Sequence, residues 1–243
     1  MRPFLLLATR ADDAAADGEL EAVRRFGGLA DDEIVRIRLE EGPMPDLDLD
    51  DWSGIIVGGS PFNASDPPDE KSAVQLRVEA ELRDLLDDVV ARDMPFLGAC
   101  YGVGTLGVHQ GGVIDRTFGE PVGAVPVTLT EAGRADPLFA DLSDTFDAFV
   151  GHKEAVRVPP AGAVVLASSP ACPVQAFRMK QNLYATQFHP ELDVPGIVAR
   201  VEIYRHAGYF PPEELGRVIQ EISGATVHEP PRMLASFVRR YAS

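Results

Sequence analysis

Cys100 stands alone in the run LGACYGVGTLGVH (97–109), with small residues on both sides of it. A thiol becomes a nucleophile only as its thiolate. A helix N-terminus, with its unpaired N–H groups and positive dipole end, favours that form. The run follows the apolar stretch MPFLG and precedes a segment able to wind into a helix. Gly98, Ala99 and Gly102 would let the backbone turn sharply there and lift the cysteine into view. Such a turn also suits phosphate, but GACYGVG has neither the lysine of a phosphate loop nor GxGxxG spacing. A second group lies in TQFHPELD (186–193), where His189 and Glu191 are two residues apart. An imidazole can take a thiol's proton, and a carboxylate can hold that imidazole in the useful tautomer. The third is VGGSPFNASD (57–66), whose paired glycines leave backbone N–H groups unobstructed and able to stabilise an oxyanion.

These segments need a scaffold that delivers all three to one place. FLLLA (4–8), EIVRIRL (33–39), GIIVGG (54–59) and MPFLGA (94–99) have the length and composition of buried strands. Helix-forming stretches lie between them, at 12–26 and 70–92. In the second, Val74, Val78, Leu82, Leu85, Leu86 and Val89 recur at three- and four-residue steps. The alternation predicts an α/β fold: a mostly parallel central sheet with helices on both faces. Ligands then bind beyond the carboxyl ends of the strands, where all three motifs fall. From about residue 122 strands dominate, ending in a hairpin, VQAFRM and LYATQFH around the turn KQN. After Pro195 the chain reads as helical in PGIVARVEIYRHAG, PPEELGRVIQEIS and PPRMLASFVRRYA. The predicted organisation is one domain over 1–193 with a helical C-terminal extension, 194–243, packed on it.

Composition excludes several classes. The 243 residues carry a formal charge of −16, which argues against nucleic acid and against an anionic membrane surface. The apolar start MRPFLLLATR is strand-sized and meets ADDAAADGE at once, so neither a signal peptide nor a membrane span is expected, and the predicted setting is cytoplasmic. Two cysteines make no disulfide framework, and no dense ligand cluster predicts a metal. The acidic loop EEGPMPDLDLDDW (40–52) lacks the glycine and distal glutamate of a calcium loop and reads as a connector. Cys172 reads as a small strand-end residue, and His109 and His152 as structural or surface residues.

The strand-ending GGS, GACYG and QFHPE, in that order along the chain, resemble the class I glutamine amidotransferases, particularly the amidase domain of GMP synthetases. The run GHKEAVRVPPAGAVVLASSPACPVQAF (151–177) is similar to the same family, and the likeness covers roughly residues 50–193. It implies a flavodoxin-like sheet, with Cys100 as nucleophile, His189 as general base and Glu191 as its orienting carboxylate. It further implies an oxyanion hole from the amides of Gly59 and Tyr101, and substrate contacts from Gly151, His152 and Lys153. No metal or organic cofactor is implied.

Two positions depart from the family. It usually has a glutamine four residues after the nucleophile, helping to hold the substrate's α-amino end; here that position is Gly104. Its usual His-Gly pair is His152-Lys153. Nothing after Glu191 supplies the ATP pyrophosphatase of a GMP synthetase. The expected function is therefore hydrolysis of the glutamine γ-amide through a γ-glutamyl thioester, with ammonia passed to a separate synthetase partner. The alternatives are a stand-alone hydrolase of another γ-glutamyl compound, a non-catalytic regulatory homologue, and a redox role for Cys100. The C-terminal helices either cover the site or form a homodimer contact.

Overall fold

The structure is a computed structural model describing residues 1–243. The first half lays down β1 (Phe4–Ala8), α1 (Asp13–Gly27), β2 (Ile34–Arg38), β3 (Gly54–Val57), α2 (Ala73–Arg92), β4 (Phe96–Ala99) and α3 (Tyr101–His109). There follow β5 (Val113–Asp115), β6 (Glu120–Leu129), α4 (Glu131–Ala135), β7 (Thr145–His152), β8 (Ala155–Val158), β9 (Val164–Ser168), β10 (Ala176–Met179) and β11 (Leu183–Thr186). The chain ends with α5 (Val194–Ile203), α6 (Leu215–Ser223) and α7 (Pro230–Tyr241).

Nine strands form one sheet in the order β2-β1-β3-β4-β11-β10-β9-β6-β7. The first five run parallel; β10, β9, β6 and β7 join by antiparallel pairing. The change of sense at β11 follows from connection length. Three residues, with Lys180 at φ 49°, close the β10–β11 hairpin, and a link that short joins only antiparallel neighbours. The expected hairpin is present. The parallel character expected of the sheet holds for the block that carries the cysteine and histidine segments. Two strands too short to announce themselves, β5 and β8, pair as a separate ribbon.

Side chains alternate across the sheet with period two, so each face builds its own core. Phe4 and Leu6 pack with Ile56, Leu97, Val23 and Phe237 on the α1/α7 side. Leu5 and Leu7 pack with Ile55, Val57, Phe96 and the α2 residues Val78, Leu82, Leu86 and Val89 on the other. Val74 departs from the predicted stripe: at the exposed start of α2 it stays 38% accessible. On the α7 side, the Phe4 and Phe237 rings stand 6.0 Å apart. A third cluster of Phe149, Leu192, Ile197, Val201, Val218 and Ile222 ties α5 and α6 to β7. This places α5 and the loop after it over the carboxyl ends of the central strands. No helix is long and apolar enough to cross a membrane.

Candidate active site

Between β4 and α3 the chain reverses at one residue. Cys100 has φ 53° and ψ −88°, a conformation outside the regions that side chains favour, at a cost of about 1–3 kcal/mol. The reversal is sharp enough that a Cβ on Gly98 would lie 2.7 Å from the Gly102 Cα. That contact explains the glycines on both sides of the thiol. A hydrogen bond from the Cys100 amide to the Thr186 carbonyl, 2.7 Å, pins the turn to the end of β11. The Tyr101 amide opens α3, among first-turn donors that have no acceptor within the helix.

His189 follows β11, and its amide is anchored on the Phe149 carbonyl of β7 at 3.0 Å. Its Nδ1 meets Glu191 Oε1 at 2.8 Å, which turns Nε2 away from the carboxylate and leaves it for another partner. His189 and Cys100 line the same chamber. Burial opposes charge on the ring, but Glu191 and the neighbouring Cys100 outweigh it and raise the imidazolium pKa to about 9. Burial likewise opposes charge on Glu191, and His189 with Arg200 hold its carboxyl far below the usual range.

The carboxylate carries a second partner that the sequence did not reveal. Arg200, on α5, donates from Nη1 to Glu191 Oε1 at 3.0 Å, and its Nη2 stands 3.8 Å from Glu19 Oε1. The Glu19 oxygen also accepts from Arg10 Nε at 2.9 Å and from the Gly59 amide at 3.2 Å. A buried chain of alternating charge thus runs Arg10–Glu19–Arg200–Glu191–His189. Arg10 was legible only as the second residue beyond β1, at the ligand-binding end of the sheet. Arg200 and Glu19 carry no local signature.

This arrangement corrects the expectation for Gly59. Its N–H is engaged by Glu19 rather than turned into the chamber. The missing side chain serves another purpose, because a Cβ there would come within 2.5 Å of an Arg10 terminal nitrogen and 2.8 Å of His189 Cε1. The Arg10 guanidinium and the His189 imidazole close over a bare backbone.

The 151–153 segment divides three ways. Gly151 lines the chamber. His152 does not: its ring is buried, with Nε2 2.9 Å from Glu120 Oε2 and Nδ1 2.9 Å from the Glu154 carbonyl. Both ring nitrogens are engaged inside the protein, so the ring itself is neither at the surface nor turned toward the chamber. Lys153 reaches across to α5's trailing loop, donating to the Ala207 carbonyl at 2.7 Å and lying 4.8 Å from the Tyr209 ring centre. At Gly104, a Cβ would meet Glu154 Oε1 at 2.9 Å and Ala64 Cβ at 3.0 Å. The place of the family's glutamine is filled by Glu154, whose carboxylate accepts from the Ala64 and Ser65 amides at 2.8 and 2.7 Å.

Tyr204, Tyr209 and Phe210 roof the chamber, and its remaining free volume is about 40 Å³. Away from it, Glu120, His152 and Cys172 bring ligand-type atoms within 4.8 Å of one another. Each is engaged by the protein: Glu120 by His152, Ser169 and Gln175, and Cys172 by the Val174 carbonyl. Burial pushes the Cys172 thiol up to about 12, the opposite of what metal ligation or nucleophilic attack requires.

The profile of the family described as glutamine amidotransferase class-I matches residues 30–194. Among curated relatives, a glutamine-hydrolysing GMP synthase of Ruminiclostridium cellulolyticum is 35% identical over 100 residues, 41% of this chain and 19% of that protein. Its counterpart in Carboxydothermus hydrogenoformans is 32% identical over 152 residues, 62% of this chain and 26% of that protein. The chain therefore aligns with only a fifth to a quarter of the length of these relatives. Two crystal structures share the fold over the whole chain. SMU.1228c has a TM-score of 0.77 at 23% identity, with 100% of both chains covered. A glutamine amidotransferase from Thermotoga maritima scores 0.74 at 19% identity, covering 100% of this chain and 99% of that one. With two thirds of its residues matched by the family profile, the chain belongs to the class I glutamine amidotransferases.

Proposed function

We propose that this protein is a cysteine amidase that hydrolyses the γ-amide of glutamine and yields ammonia to a separate synthetase. The observation that carries this reading is His189 buried between the Cys100 thiol and the Glu191 carboxylate in one chamber. The Cys100 thiolate attacks the γ-carboxamide carbon, and the carbonyl electrons move onto oxygen. His189, charged up to about pH 9, gives its proton to the departing nitrogen. The C–N bond breaks, ammonia leaves and a γ-glutamyl thioester remains. Water then attacks the thioester carbon, His189 takes the water's proton, and glutamate is released with the thiol restored. The Tyr101 amide supports the oxyanion, and Gly151 bounds the substrate's path.

The relatives support a reading in which the ammonia is used by a synthetase. Curated relatives of this region are the glutamine-hydrolysing GMP synthases, which suggests glutamine as substrate and a synthetase as the user of the ammonia. Arg200 on α5 reaches Glu191, which supports reading the 194–243 helices as part of the same unit. A second reading, a hydrolase of a different γ-glutamyl compound, is favoured by Glu154 occupying the site beside Gly104. The deciding experiment measures ammonia and glutamate release from glutamine and from a panel of γ-glutamyl amines and peptides, on wild type and Cys100→Ala. Glutamine turnover abolished by the substitution is the expected result. Turnover that survives in Cys100→Ala overturns the cysteine mechanism, and a strong preference for a γ-glutamyl peptide selects the second reading.

A further inference from the structure

The chamber beside Cys100 holds a cation whose hydrogen-bonding capacity is mostly unused. The Arg10 side chain is 4% exposed; its Nε donates to Glu19, and its guanidinium carbon stands 5.5 Å from the Tyr204 ring centre, which leaves the terminal nitrogens without a carboxylate or carbonyl acceptor. Its terminal nitrogens face the chamber, next to the bare Gly59 backbone and the His189 ring. The Tyr204 hydroxyl is buried with no hydrogen-bond acceptor or donor at normal geometry, and it lies close enough to interact with the Arg10 charge. The other walls include Val122, Val150, Ile197 and Val201, which offer a guanidinium nothing. A buried guanidinium normally has its fork of donors satisfied, because leaving them unpaired away from water is costly. The group that matches two parallel donors is a planar anion, above all a carboxylate.

We infer that Arg10 is a specificity-determining residue, whose terminal nitrogens and the neighbouring Tyr204 hydroxyl receive a carboxylate of the acyl donor. The inference deepens the amidase reading and rests on it for the identity of the bound molecule as a substrate. It also accounts for the departure at Gly104. Recognition on the α3 side has been replaced by Glu154, so the donor's charged end is gripped from the opposite side, by β1's exit and the 204–210 segment. The free volume of about 40 Å³ suits a group of carboxylate size beside the sulfur, with the roof residues moving to admit the remainder. The substrate class is an amide carrying a carboxylate a few carbons from the scissile carbonyl, which includes glutamine itself.

The test reads binding without requiring turnover. Cys100 is alkylated with iodoacetamide and followed by mass spectrometry, with the fully buried Cys172 as internal reference. The rate is measured with glutarate and with its uncharged diamide as protectants. In wild type, glutarate is expected to slow labelling at half-saturating concentrations at least ten-fold lower than the diamide. Arg10→Gln abolishes that preference. Arg10→Lys, which keeps a charge opposite Glu19 and so guards against misfolding, retains no more than a third of it. Equal protection by acid and diamide, or a preference unchanged in both variants, overturns the inference. In parallel, turnover of glutamine is compared with turnover of its α-carboxamide, where a preference of ten-fold or more for the free acid is expected. Carboxylate protection without glutamine turnover sinks the amidase reading and leaves Arg10's role standing. Turnover without any carboxylate preference does the reverse.

Discussion

The molecule contains two buried histidine–carboxylate pairs of nearly the same length, and they sit in different surroundings. His189 meets Glu191 at 2.8 Å, and His152 meets Glu120 at 2.9 Å. The difference lies in what the second ring nitrogen finds. In His152 it finds the Glu154 carbonyl, so the ring is bonded at both ends. Ser169 and Gln175 complete the shell around Glu120, and the carboxyl stays charged: burial opposes this, and His152 with the two donors outweighs it. In His189 only Nδ1 is committed, and the free edge shares a chamber with a thiol held in a strained backbone. Pairing makes a histidine structural; an unpaired edge next to a nucleophile makes it available for proton transfer. The same rule separates the two cysteines, one half-exposed at a helix start and the other sealed beside β9.

The largest effect that sharpens this contrast is on turnover. Replacing His189 with alanine removes the proposed proton carrier, and the expected loss in kcat is on the order of 10⁴-fold or more, with the protein still folded. Glu191→Gln leaves the size of the side chain but permits the wrong tautomer, and about 10³- to 10⁴-fold is expected. Steady-state assays with a circular-dichroism check read both. If Glu191→Gln stays within a few-fold of wild type, Glu191 is not the orienting carboxylate, and Arg200 is pairing with it for structure alone.

For the other pair the expected loss is in stability. His152→Ala takes one of three partners from the buried Glu120 carboxylate and leaves a void, and about 1–3 kcal/mol of unfolding free energy should go with it. Urea denaturation measures this as a lower midpoint at unchanged slope. A midpoint that does not move, together with a raised KM, would return His152 to substrate recognition and break the comparison.

Legibility in the sequence tracks how local each feature is. The Cys100 turn needs glycines two residues to either side, and the His189–Glu191 pair is written within three residues, so both can be read from a short string. The parallel strands and the KQN hairpin are equally local. The buried charge chain is not. Arg10, Glu19, Gly59, Glu191 and Arg200 come from five separate segments, and no spacing links an arginine on α5 to a glutamate on α1. The same limit explains the Gly59 amide. Two glycines at a strand end announce an exposed N–H, but its acceptor depends on a helix elsewhere in the chain. The partners of Lys153 and the short β5 and β8 strands were hidden for the same reason.

A pH profile tests whether His189 is charged for the reason given. Its pKa of about 9 exceeds the ordinary 6.5 because Glu191 and Cys100 favour the imidazolium against the effect of burial. A folded-state value raised in this way stabilises the native protein fully below about pH 6.5, and that contribution fades through 9 as the proton leaves. In the proposed reaction the same proton is the one delivered to ammonia, so kcat/KM is expected to fall about ten-fold per pH unit above 9. In whatever activity Glu191→Gln retains, the limb should move to lower pH. A limb that keeps its position in that variant assigns the titration to another group.

The smallest expected effect concerns the roof. Lys153 stands where the family carries glycine, and its ammonium bonds the Ala207 carbonyl and faces the Tyr209 ring. Both contacts tie the β7 exit to the loop that closes the chamber. A half-buried cation over an aromatic face contributes about 1 kcal/mol. Lys153→Met keeps the aliphatic stem and removes that attraction, shifting the roof toward open by about five-fold. The measurement is the rate of Cys100 alkylation by iodoacetamide in the absence of any ligand, which tracks the open fraction when closing is fast. A rate unchanged in Lys153→Met means that the cluster of Phe149, Ile197 and Val201 beneath α5 holds the roof by itself. The lysine would then be a surface tether, and the apolar packing of α5 would be what sets access to the thiol.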